Sequence, residues 1–135
     1  MNIIVCIDKK NGVMFNGRRQ SQDKELRAKI MELCSEARLF MSEYSGLQFS
    51  EYSDMIISDD FLQQAGIGDY CFVEDGVLPP AEAIENIVVF RWNRDYPADR
   101  HFTFDFKANG FKKEKKEDFV GSSHKKITME IYKKV

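Results

Sequence analysis

Short apolar runs alternate with polar, turn-forming stretches along the whole chain, and their periods predict its elements. Asn2 to Ile7 is β-branched and apolar, the pattern of a buried strand, and Asp8-Lys9-Lys10-Asn11-Gly12 closes it with turn residues. After a polar loop at Asn16-Gly17, Ser21 is placed to cap a helix. Asp23 and Glu25 then fall in its first turn, where the helix dipole favours acids. Leu26, Ile30, Leu33, Cys34 and Ala37 recur at helical spacing and carry that amphipathic helix to about Arg38. Leu39-Phe40-Met41 reads as a strand, and Ser42 as the cap of a brief helix to about Phe49.

Met55 to Ser58 and Tyr70 to Val73 read as two more short buried strands. Pro79-Pro80 opens a short helix through Ala81 to Ile84, since proline suits a first turn. Ile87 to Phe90 is a further apolar strand. Arg100 to Phe106 alternates, with Phe102, Phe104 and Phe106 on one face. The charged run Lys112 to Asp118 separates it from a last strand with Ile127, Met129 and Ile131 inward. This order predicts a single α/β domain over residues 1–135. Its expected core is a mostly parallel mixed sheet flanked by helices, with antiparallel edge strands at the C-terminal end.

Composition narrows the class. The 43% apolar share, with eleven Phe and five Tyr, is enough for a core, and 31% charged residues solvate the surface. No run approaches the roughly 18 apolar residues that span a bilayer. The opening MNIIVCIDKK lacks a basic n-region, so a cytoplasmic protein without membrane contact is expected. Cys6, Cys34 and Cys71 are odd in number and sit among apolar neighbours, which predicts reduced, buried thiols.

The net charge of −2 hides an asymmetry. From Glu51 to Glu85 there are nine acids and no Lys or Arg, whereas from Lys107 onward nine Lys face four acids. The acidic stretch repels nucleic acid and suits a basic protein partner. Plain solubility and attraction between the two halves explain the same pattern.

Motifs for most enzyme classes are missing. Only His101 and His124 occur, without metal-site spacing, and there is neither a phosphate-binding glycine loop nor a Gly-x-Ser-x-Gly elbow. His124, between Ser123 and Lys125, reads as a solvated loop residue. The densest polar group is Arg91-Trp92-Asn93-Arg94-Asp95-Tyr96 at the carboxyl end of a buried strand, where open α/β sheets bind ligands. Arginine offers a fork for carboxylate or phosphate, and Trp92 a stacking face. With Arg18 and Arg19 from the loop after the first strand, Arg91, Trp92, Asn93, Arg94 and Tyr96 suggest a cationic, aromatic site for a small anionic or planar ligand. A solvated junction with Trp92 as a lid on the core is the simpler reading.

The order of segments resembles the dihydrofolate reductase family. Ile3-Ile4-Val5-Cys6-Ile7-Asp8, then Asn11-Gly12-Val13, Asn16-Gly17 and a capped helix follow its opening. Arg38-Leu39-Phe40-Met41, Met55-Ile56-Ile57-Ser58, Pro97-Ala98-Asp99-Arg100 and the closing Ile127 to Tyr132 are similar to later pieces. The resemblance implies that fold, and it implies NADPH as cofactor if the chain is a reductase. Glu25 then matches the pterin-binding carboxylate approximately, although it also reads as an ordinary first-turn acid.

Other positions depart from the family. Ser42-Glu43-Tyr44-Ser45 stands where the family has Gly-Arg-x-Thr, so an anion replaces a phosphate-binding cation. Arg91-Trp92-Asn93 stands where the resemblance puts the family's Gly-Gly pair, and the helix that should follow is nearly deleted. These departures favour a diverged domain that has lost reductase activity, has no cofactor and binds a ligand or partner. The alternatives are an inhibitor or immunity partner of a basic nuclease, and an atypical NADPH-dependent reductase of a pterin-like substrate.

Overall fold

A computed structural model describes residues 1–135. In chain order the elements are β1 (Asn2–Ile7), β2 (Gly12–Phe15), β3 (Arg18–Arg19), α1 (Lys24–Leu33), β4 (Leu39–Met41), α2 (Glu43–Gln48), β5 (Ile56–Ile57), α3 (Phe61–Gln64) and β6 (Tyr70–Phe72). A single 3₁₀ turn (Ala81–Ala83), β7 (Asn86–Arg91), β8 (Arg100–His101), β9 (Phe111–Phe119) and β10 (Ile127–Lys134) complete it. Seven strands form one sheet in the order β5-β4-β6-β1-β7-β10-β9, and β3-β2-β8 form a small second sheet. β1 runs parallel to β6 and β7, while β10 runs antiparallel to β7 and β9. This is the predicted α/β class, with its antiparallel C-terminal edge.

The sheet is buried on both faces, which is why its central strands read as continuous apolar runs rather than alternating ones. Ile3, Val5, Ile7, Ile87, Val89 and Tyr132 pack on one face with Phe102 and Phe111. Ile4, Val88, Phe90, Trp92, Ile127 and Met129 pack on the other against Leu26 and Ile30 of α1. No helix is long and apolar enough to cross a membrane.

Several local expectations are corrected. Asp23, not Ser21, caps α1, accepting from the amides of Glu25 and Leu26, and the helix stops at Leu33 rather than Arg38. β5 is an exposed edge, with Ile56 and Ile57 at 37% and 42% accessibility, so it is not buried. The Arg100–Phe106 strand breaks after His101, because Asp105 turns the chain by accepting from Ala108 N at 2.9 Å and Asn109 N at 3.2 Å. Its phenylalanines still pack on the core: Phe106 stacks on Tyr132 with centroids 3.7 Å apart, and Phe104 meets Phe111 edge-on.

The charged run Lys112–Asp118 is strand β9, not a connection. It lies at the outer edge of the sheet, where exposed charges discourage pairing with another chain. His124 is buried at 5% accessibility, contrary to the solvated loop expected. Cys34 and Cys71 are buried, while Cys6 is only partly so.

Four acids of the acidic stretch find cations outside it: Glu51 with Arg27, Asp69 with Arg38, Glu74 with Arg19, and Glu85 with the N-terminal amine. All four cations lie in residues 1–38, so the stretch is partly neutralised from there, and no ion pair joins it to the lysine-rich end.

Candidate functional site

The carboxyl ends of β1, β6 and β7 deliver side chains to one edge of the sheet. Side chains alternate along a strand, so Cys6, Phe72 and Trp92 all emerge on the face covered by α1. Arg19, Gln20 and Ser21, between β3 and α1, lie across that edge, with Gln48 and Glu74. Together these residues and Val13 enclose a void of ≈ 10 Å³, room for about one water molecule.

Glu74 is the hub of this wall. Its carboxylate accepts from Arg19 Nε at 2.8 Å, Arg19 Nη2 at 3.0 Å, Ser45 Oγ at 2.8 Å and Gln48 Nε2 at 3.2 Å. Arg19 is held in turn by the carbonyl of Tyr44 at 3.2 Å and lies over the Tyr44 ring at 4.3 Å. A bidentate fork with further donors is the strong form of such a pair. Burial, and next the charge of Glu74, push the Cys6 thiol well up against the pull of Arg19. Cys6 is therefore an inert thiol.

On the far side of Ser21, Asp23 and His124 form a buried pair. Asp23 Oδ2 lies 2.8 Å from His124 Nδ1, and the carboxylate also accepts from the amides of Ser122 and Ser123 at 2.9 Å each. Burial works to raise the Asp23 pKa, but the hydrogen bonds from His124, Ser123, Ser122 and Leu26 outweigh it and hold the carboxyl well below its usual range. Gly121 permits the approach, because a Cβ there would meet Asp23 Oδ2 at 2.5 Å. His124 Nε2 faces Tyr96 Oη at 2.9 Å and Ser21 Oγ at 3.1 Å, and the Trp92 ring stacks on the imidazole at 4.5 Å. Asp8 fixes the neighbours, accepting from Gln20 Nε2 at 3.0 Å and Tyr96 N at 3.2 Å.

A second cleft, of ≈ 450 Å³, opens beside Trp92 and is lined by Trp92, Asn93, Arg94, Ser123, Lys125 and Lys126. Its three cations make no ion pair, and no acid lines it. Asn93 adopts φ 60° and ties the floor together, donating to Lys126 O at 3.1 Å and Thr128 Oγ1 at 2.9 Å. A third groove, of ≈ 180 Å³, runs between α2 and the end of β6 and includes Ser42, Tyr44, Ser45, Glu74 and Asp75.

No protein-family model and no curated protein matches the sequence. Among solved structures, a dihydrofolate reductase from Enterococcus faecalis, complexed with NADP(H) and RAB-propyl, superposes with a TM-score of 0.70. The match covers 98% of this chain and 94% of that one at 10% identity. The fold is that of dihydrofolate reductase.

Within this dihydrofolate reductase-like frame the sequence-derived candidates separate. Arg19 and Trp92 share the small void, and Trp92, Asn93 and Arg94 share the cationic cleft. Tyr96 reaches His124 and Ser21 rather than open solvent. Arg91 does not join them: alternation sends it to the opposite face, where it donates to buried Glu130 at 2.8 Å. Arg18 is exposed on the β2–β3 hairpin, and Glu25 is exposed on the first turn of α1 and lines none of the three clefts.

The connection that crosses β1 runs from β6 to β7 and holds one helical element, the 3₁₀ turn at Ala81–Ala83. Sequence reasoning missed the Asp23–His124 and Arg19–Glu74 pairs because their members lie 101 and 55 residues apart. The one local signal was the dense polar run Arg19-Gln20-Ser21-Gln22-Asp23.

Proposed function

We propose that this chain is a dihydrofolate reductase-like binding protein that has lost reductase activity and holds a small anionic ligand in the cleft beside Trp92. The observation that carries this reading is the division of charge along the sheet edge. Three unpaired cations, Arg94, Lys125 and Lys126, line the cleft beside Trp92 with no acid among them.

The groove beside α2 has the opposite character. Asp59 Oδ1 already accepts the Glu43 amide at 3.0 Å at the start of α2, where a phosphate would seek donors. Glu74 and Asp75 line the same groove, and Glu43 adds a further anion at that helix start. Like charges in a partly dry site repel strongly. Both facts favour a small phosphate- or carboxylate-bearing ligand beside Trp92 over a dinucleotide beside α2.

Titration decides between these outcomes, with Trp92 fluorescence and calorimetry as readouts. Pyrophosphate is expected to bind, with affinity falling as salt rises, and NADPH to bind no more tightly than pyrophosphate. Micromolar NADPH affinity together with oxidation of the cofactor by dihydrofolate would overturn the reading and restore the reductase alternative.

A further inference from the structure

Ser21, His124 and Asp23 meet in a geometry that the binding role does not use. Asp23 is an ionised acceptor 2.8 Å from Nδ1, so that nitrogen carries the ring proton and Nε2 presents its lone pair to Ser21 Oγ at 3.1 Å. The side chains of Asp23 and His124 are 0% and 2% accessible, and the imidazole plane is fixed by the stacked Trp92. Ser21, by contrast, is partly exposed and lines the void shared with Cys6, Gln20 and Trp92. A nucleophile at hydrogen-bond distance from a base, itself oriented by a buried carboxylate, is recognised by such geometry and not by chain order.

Two further observations point to a reacting group at Ser21. The backbone N–H groups of Ser21 and Gln22 donate to no backbone carbonyl, and donors beside the nucleophile are what a developing oxyanion needs. Gln20 Oε1 is buried without a hydrogen-bond partner, and its side chain lines the same void. It is an acceptor placed for the one water that this void can hold.

We propose that Ser21 is the nucleophile, His124 the base and Asp23 the positioning carboxylate of an acyl-transfer site that takes small carboxylic esters from the solvent side of Ser21, since the void beneath has room for only about one water. Ser21 Oγ forms a bond to the acyl carbon while its proton passes to His124 Nε2. The acyl–oxygen bond then breaks, and His124 returns the proton to the departing alcohol. Water repeats the sequence on the acyl-serine, giving its proton through His124 to Ser21, so the net change is ester plus water to acid plus alcohol. Tyr96 Oη, 2.9 Å from the same Nε2, competes for its lone pair. Replacing Tyr96 with Phe leaves that lone pair to Ser21.

The test uses a fluorophosphonate probe on the full chain, with peptide mapping by mass spectrometry and p-nitrophenyl acetate hydrolysis alongside. The wild-type protein is expected to carry the adduct at Ser21. Ser21→Ala should lose it, Tyr96→Phe should gain it several-fold faster, and His124→Asn at least tenfold more slowly. His124 is buried, so His124→Asn counts only if it keeps a cooperative melt; Tyr96→Phe, at a half-buried position, carries the comparison otherwise. An unlabelled Ser21 in both wild type and Tyr96→Phe would reduce the cluster to a clasp between α1 and the 121–124 loop. Equal labelling in folded His124→Asn would overturn the proposal as well. Pyrophosphate binding beside Trp92 is read separately, so either idea can fail alone.

Discussion

The Arg19 guanidinium forks onto the Glu74 carboxylate at 2.8 and 3.0 Å and joins the end of β3 to the segment just after β6. The pair is mostly screened from water, with 18% and 9% of the two side chains accessible. It closes the edge of the sheet with the protein's own charges. Replacing Glu74 with Gln keeps the shape but removes the charge from four hydrogen bonds. The expected loss is about 1–3 kcal/mol, read as a lower urea midpoint at unchanged slope. The freed Arg19 should also take up a small carboxylate such as acetate more tightly than in wild type. A midpoint that does not move would show that the fork contributes nothing net.

The cationic cleft makes a separate prediction. Lys125 and Lys126 are exposed and unpaired, so replacing both with Ala should leave the melting temperature within about 2 °C, as for surface changes away from special features. Pyrophosphate binding should weaken about tenfold, equivalent to about 1.4 kcal/mol, and lose part of its salt dependence. Undiminished calorimetric affinity in the double variant would place the anion elsewhere.

The fold was legible because its strands are short, apolar and bounded by turn residues. β1, β4, β6, β7 and β10 all lie where periodicity put them. The failures have specific causes. β9 was hidden because an edge strand carries charges on both faces and loses its alternation. β5 was taken as buried because Ile56 and Ile57 are apolar, yet an edge position exposes them. The site was harder to see. Arg91 and Trp92 are neighbours in sequence and so were grouped, but a pleated strand sends them to opposite faces. Asp23 and His124 are 101 residues apart and so were read separately, as a first-turn acid and a loop residue.

Buried carboxylates set the acid limit of the fold. Glu130 is 3% accessible and receives Arg91, Lys113 and the Tyr132 hydroxyl. Burial tends to raise its pKa, but these partners outweigh that and lower it. Asp8 and Asp23 are lowered by hydrogen bonds in the same way. A carboxyl with a depressed folded pKa stabilises fully above its unfolded value, about 4, and that stability is lost as pH falls toward the folded pKa. Thermal melts should therefore be flat from pH 7 to about 5 and drop steeply from about 4 to 3. A melting temperature maintained to pH 3 would contradict the assignment.

Asp23 and Glu25, two residues apart, should behave oppositely on substitution. Asp23 caps α1, receives the amides of Ser122 and Ser123 and pairs with His124, so one carboxylate joins the helix start to the 121–124 loop. Loss of an N-cap alone costs about 0.5–2 kcal/mol, and each buried donor left unpaired adds about 1–3 kcal/mol. Asp23→Ala is therefore expected to destabilise by more than about 3 kcal/mol. Hydrogen exchange should quicken together at the amides of Leu26, Ser122 and Ser123, because they lose the same acceptor. Glu25 is exposed and makes no side-chain hydrogen bond, so Glu25→Ala should change stability by less than about 0.5 kcal/mol. Exchange that quickens at Leu26 alone would mean that the carboxylate is only a helix cap and that the loop is held by other contacts.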